Sequence, residues 1–121
     1  MSFFKKLKLI WMKRNTRVYL SGKMSGLKNY GKENFDRAEK QLRQEGFTKI
    51  VNPYKLGIKL SKKLHRKLED ISYEEFLKND LIELLKCNMI YMLENWADSR
   101  GCTIERKLAI DCNIFIMYER K

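Results

Sequence analysis

Residues 89–93, Met89-Ile-Tyr-Met-Leu93, are apolar almost without interruption. That is the pattern of a strand covered on both faces, as in a parallel sheet. Just upstream, Ser72-Tyr-Glu-Glu75 forms a capping box, in which the serine hydroxyl and the glutamate carboxylate each satisfy a free backbone N–H. The helix it opens carries Phe76, Leu77, Leu81, Leu84 and Leu85 and runs to Lys86. Downstream, the loop from Glu94 to Gly101 leads into a helix from about Cys102 to Asp111, and Ile114 to Tyr118 is the last strand.

Toward the amino terminus, Arg17-Val-Tyr-Leu-Ser-Gly22 reads as a first strand ending in a turn. Gly26 and Gly31 punctuate the loop that follows. Phe35, Ala38 and Leu42 recur at helical spacing between about Asn34 and Glu45, and Gly46 supplies a stop. Phe47 to Asn52 reads as a second strand closed by Pro53. Residues 54–71 are the least regular, with a short basic helix around Leu60 to Leu68.

The order β-α-β-α-β-α-β predicts a single-domain, flavodoxin-like (Rossmann-like) α/β fold. Its parallel sheet would have about four to five strands, flanked by helices and joined by right-handed crossovers. Ligands of such sheets bind beyond the carboxyl ends of the strands, near the switch in strand order. That rule sends the loops at 22–31 and 94–101 to the functional edge. Residues 17–121 form the domain, and residues 1–16 are a basic amphipathic extension.

Composition narrows the functional classes. A chain of 121 residues has room for one domain. With 34% charged residues it is no membrane-spanning protein. Cys87, Cys102 and Cys112 are odd in number and lack a Cys-x-x-Cys pair, which points to a cytoplasmic protein. Together with the single His65 they make no zinc spacing, so no metal is expected, and no cofactor. The net charge of +11 is uneven. Residues 1–17 hold six cations and no acid, and residues 55–70 hold six cations against Glu69 and Asp70. The rest is close to neutral, so a uniformly basic nucleic-acid face is not expected.

Three pieces converge on the functional edge. Tyr19-Leu-Ser-Gly-Lys-Met-Ser-Gly26 is a glycine-bearing turn between strand and helix, able to aim backbone N–H groups at an anion. Lys23 and Ser25 would add a charge and a hydroxyl; the plainer reading is a tight turn. In Asp98-Ser-Arg-Gly-Cys-Thr-Ile-Glu105, Ser99 and Gly101 stand where a helix begins, and Glu105 lies one turn into it. An acid there often only complements the helix dipole. Its neighbours Cys102, Ile104, Leu108 and Ala109 instead suggest a buried helix, where a carboxylate needs a reason. The third piece is Asn79-Asp80, which on its own reads as a solvated helix acid.

Taken in order, Tyr19-Leu-Ser-Gly, Asn52-Pro53, Asp80-Leu-Ile-Glu-Leu-Leu-Lys-Cys-Asn88 and Trp96-Ala-Asp-Ser-Arg-Gly-Cys-Thr-Ile-Glu105 resemble the nucleoside 2-deoxyribosyltransferase-like superfamily. The likeness is nearest to a phage and bacterial branch and covers about residues 17–118. The resemblance implies that Glu105 is a nucleophile attacking the anomeric carbon of a nucleoside or nucleotide. It implies that Asp80 assists the leaving base or the ribose, that Tyr19 orients the nucleophile, and that Asp98 helps from the loop. Phosphate would be bound by Ser21, Gly22, Lys23, Ser25, Ser99 and Gly101. It also implies a homo-oligomer. The expected activity is therefore an N-glycosidic-bond hydrolase or deoxyribosyltransferase. A non-catalytic protein of the same fold, sequestering or sensing a nucleotide, is the alternative.

In the extension, Phe3, Phe4, Leu7, Ile10 and Trp11 would share one helical face, with Lys5, Lys6, Lys8 and Lys13 mostly elsewhere. Packing against a second subunit or back onto its own domain ranks first as its use. Weak adsorption to an anionic membrane surface ranks second.

Overall fold

The computed structural model describes residues 1–120. Its core is a four-stranded, all-parallel sheet in the order β2-β1-β3-β4, built from β1 (Arg17–Ser21), β2 (Lys49–Val51), β3 (Met89–Met92) and β4 (Phe115–Tyr118). Five helices accompany it: α1 (Phe3–Asn15), α2 (Lys32–Gln44), α3 (Pro53–Leu64), α4 (Tyr73–Leu84) and α5 (Arg100–Asp111). This is the flavodoxin-like α/β architecture expected from the strand–helix alternation. The chain leaves β1 toward β2 on one side and returns to β3 on the other. The topological switch therefore falls between β1 and β3, which pair from Val18 with Met89 to Ser21 with Met92.

Alternation along β1 divides the core into two layers. Val18 and Leu20 pack with Phe35, Ala38 and Leu42 of α2. Tyr19 points to the other face, among Leu84 of α4, Cys102 and Ala109 of α5, and Ile90 and Met92 of β3. All four residues of β3 are buried, as its unbroken apolar run requires.

The capping box forms as read. The Ser72 hydroxyl accepts from the Glu75 N–H at 3.1 Å, and the Ser72 N–H donates to the Glu75 carboxylate at 2.8 Å. Residues 53–71 depart from the expectation. Pro53 does not merely close a strand; it is the first residue of α3, capped by the Asn52 side chain accepting from the Tyr54 N–H at 3.0 Å. Proline suits that position because it gives up an N–H that would have no partner. The helix ends at Leu64 rather than near Leu68, with His65 left-handed. Two helices, α3 and α4, therefore fill the crossover from β2 to β3.

Candidate active site

Beyond the carboxyl ends of β1 and β3 lies a cavity of about 250 Å³. The loop after β1 contributes Gly22, Met24, Ser25, Gly26, Leu27 and Tyr30 to its lining. The segment Ile71 to Asp80 and the start of α5, from Ser99 to Glu105, complete it. Two carboxylates face this space. Glu105 is 5% exposed and Asp80 is 7% exposed.

Glu105 is held through both oxygens. The fully buried Tyr19 hydroxyl donates to Oε2 at 2.5 Å, and the Ser21 hydroxyl donates to Oε1 at 2.7 Å. Tyr19 and Ser21 are two apart on β1, so both side chains reach the same face of the sheet, where α5 packs. Burial pushes the Glu105 carboxyl up to about 7, while the two hydroxyl hydrogen bonds pull the other way. Burial raises Asp80 well above the usual carboxylate range, and the charges of Glu105 and Glu83 add to the rise. Tyr19 is likewise raised by burial and by the neighbouring acids, so its phenol stays protonated as a donor. Two acids with separately tuned environments in one cavity can divide into an ionised group and a proton donor.

The sequence-derived positions separate into those that meet here and those that do not. Gly22, Ser25, Asp80, Ser99, Gly101 and Glu105 line the cavity, and Tyr19 and Ser21 stand behind Glu105. The Ser21 hydroxyl is committed to Glu105, which makes it a positioning group for the carboxylate instead of a free phosphate ligand. Ser99 caps α5, its hydroxyl oxygen accepting from the Cys102 N–H at 3.2 Å. Lys23 does not line the cavity; its backbone N–H ties the two loops together by donating to Asn95 Oδ1 at 3.0 Å. Asp98 is exposed and borders a separate depression with Asn34, Arg37 and Glu94.

The structure adds aromatic walls that the sequence gives little sign of. Tyr30 is brought to the cavity by a left-handed backbone at Asn29 and Tyr30, with φ of 51° and 56°. Tyr73 and Phe76 come from the first turn of α4, where the capping box draws attention to Ser72 and Glu75 instead. The Tyr73 hydroxyl is buried and has no hydrogen-bond partner among the described residues. It lies beside Gly101, whose added Cβ would sit 3.6 Å from it. Such an orphaned polar atom on a cavity wall suits a polar ligand atom. Cys102 also lines the space, but burial pushes its thiol up to about 11, so it is no ready nucleophile. No cluster of metal-ligating side chains occurs among the described residues.

Fold and site together define a class: a flavodoxin-like α/β domain with a buried carboxylate pair at its topological switch. The chain belongs to the family described as domain of unknown function DUF4406, whose model matches residues 16–118. Neither a curated protein nor a solved structure was found to match it.

Proposed function

We propose that this protein cleaves or exchanges the N-glycosidic bond of a nucleoside or nucleotide, with Glu105 as nucleophile. The observation that carries the reading is the Glu105 carboxylate, buried, held by Tyr19 and Ser21, and opening on a cavity shared with Asp80. The resemblance to the nucleoside 2-deoxyribosyltransferase-like superfamily supports it. So does the size of the cavity, which at about 250 Å³ suits one small molecule.

In the proposed reaction, a Glu105 oxygen bonds to the anomeric carbon as the bond to the base nitrogen breaks. The electron pair of that bond leaves with the base, and Asp80, held protonated by its burial, supplies the proton. Water or a second base then displaces Glu105 from the sugar. Tyr30, Tyr73 and Phe76 would flank the flat base or the sugar. A 5′-phosphate would lie at the amino end of α5, where Ser99, Gly101 and the unpartnered Tyr73 hydroxyl converge.

The positions of Lys23 and Asp98 outside the cavity favour the second reading, a nucleotide-binding protein that performs no chemistry. Incubation with deoxynucleosides, their monophosphates and NAD, read by chromatography for free base, separates the two. Enzyme releases base; a binder retains its ligand intact.

A further inference from the structure

The two basic stretches of the sequence meet in space at the opposite end of the molecule from the cavity. Helix α1 extends beyond the amino ends of the strands and buries none of its residues. Its last turn touches the domain. The Lys13 ammonium donates to the Glu45 carbonyl at 2.9 Å and lies over the Phe47 ring, and the Thr48 hydroxyl donates to the Arg14 carbonyl at 3.2 Å. Thr48 also lines a groove of about 480 Å³ that runs along the edge strand β2 beneath α3. Arg17, Arg43, Lys49, Lys55, Lys59 and Lys63 line this groove, with Glu83 the one lining carboxylate among the described residues; Glu83 pairs with Arg17, and the neighbouring Glu39 pairs with Arg43 and Lys55. Lys49, Lys59 and Lys63 make no ion pair among the described residues. Arg17 Nε is buried there without a hydrogen-bond partner.

On α1 itself, Phe3, Phe4, Leu7, Ile10 and Trp11 fall within about 120° of the helix circumference. Phe4 is 80% exposed and Trp11 is 67% exposed. Lys5, Lys6, Lys8 and Lys13 share the remaining arc with the partly exposed Leu9 and Met12, Arg14 closes the apolar stripe at its carboxyl end, and no acid occurs before Glu33. The matched family region begins at residue 16, just after this helix.

We propose that α1 and the β2–α3 groove together form a docking surface for an anionic lipid bilayer. The apolar stripe enters the boundary between headgroups and acyl chains, its lysines reach the lipid phosphates, and the groove cations add a second electrostatic contact. Charge complementarity selects the occupant. A second copy of this chain would bring its own +11 and an acid-free helix against the same surface. A nucleic acid would satisfy the cations but has no use for the exposed aliphatic side chains of Leu7 and Ile10. A short helix alone binds weakly, and a basic patch beside it is the second signal that firm adsorption requires. The candidate active site, at the carboxyl ends of the strands, would then face the solution.

Flotation of the full chain with phosphatidylglycerol–phosphatidylcholine vesicles, against pure phosphatidylcholine vesicles, tests this. Binding is expected to be about tenfold or more tighter on the anionic vesicles and to weaken with added salt. The Leu7→Glu/Trp11→Glu variant should lose it while remaining folded, because neither residue is buried. The Lys59→Glu/Lys63→Glu variant should weaken it. Equal binding to neutral and anionic vesicles would overturn the proposal, as would full binding by the Leu7→Glu/Trp11→Glu variant. Absence of vesicle binding, with a dimer mass in light scattering that this variant abolishes, would assign the helix to a second copy. Binding to a single-stranded oligonucleotide but not to vesicles would assign the surface to nucleic acid.

Discussion

Glu105 combines two demands that oppose each other, since a nucleophile must be ionised and burial resists ionisation. Its rise from an ordinary 4.5 to about 7 means that the ionised form grows in as pH passes neutrality. Base release should therefore increase through about pH 7 and fall again at higher pH as Asp80 loses its proton, a bell-shaped profile that rate measurements would trace. Stability runs the other way. A carboxyl with a raised pKa in the folded state favours folding below its unfolded value of about 4.5, and that contribution is lost as pH rises through about 7. The cost at pH 8 is on the order of 3 kcal/mol. Glu105→Gln should accordingly raise the melting temperature more at pH 8 than at pH 5, and calorimetric scans at the two pH values would check this. The sequence makes Glu105 legible as a carboxylate on an apolar helix, but not its partners. Tyr19 and Ser21 lie more than eighty residues away, and only the folded sheet brings them to it.

At the next scale, glycines in the turns that frame the cavity serve different ends. A Cβ on Gly22 would meet Leu93 Cδ2 at 2.8 Å and Phe35 at 3.1 Å, so this glycine lets β1 leave the sheet between two core side chains. Gly22→Ala should destabilise the fold by about 1–3 kcal/mol in urea melts. At Gly101 the nearest atom, the Tyr73 hydroxyl, is 3.6 Å away, so Gly101→Ala should keep full stability yet weaken ligand binding in calorimetry, because the methyl intrudes on the cavity. Ser72→Ala removes one half of the capping box and should cost about 1 kcal/mol. The elements with strong local signals, β3 and the start of α4, are readable from the sequence. The start of α3 is harder, because Asn52-Pro53 serves equally as the end of a strand and as the cap and first turn of a helix. Tyr30 depends on a left-handed backbone at a non-glycine residue, for which no sequence pattern gives warning.

Across the whole molecule, the parallel sheet separates two chemistries, with the buried acids beyond the carboxyl ends of its strands and the basic helix and groove toward the amino ends. The alternation of strands and helices makes the sheet and its functional edge legible. The meeting of Asp80 with Glu105 is not, since it depends on how α4 and α5 pack side by side on one face. If a phosphate is bound at the start of α5, a deoxynucleoside monophosphate should bind more tightly than its nucleoside in titration calorimetry; equal affinities would remove that subsite. The central claim, that Glu105 is a nucleophile toward a glycosidic carbon, is tested most directly by comparing wild-type protein with Glu105→Gln. Both are incubated with a panel of deoxynucleosides and monophosphates and read by chromatography for free base. The account predicts base release by the wild type and a loss of a hundredfold or more in the folded variant, equivalent to at least about 2.7 kcal/mol of transition-state stabilisation. Base release at an unchanged rate by Glu105→Gln, or none from any substrate by the wild type, would contradict it.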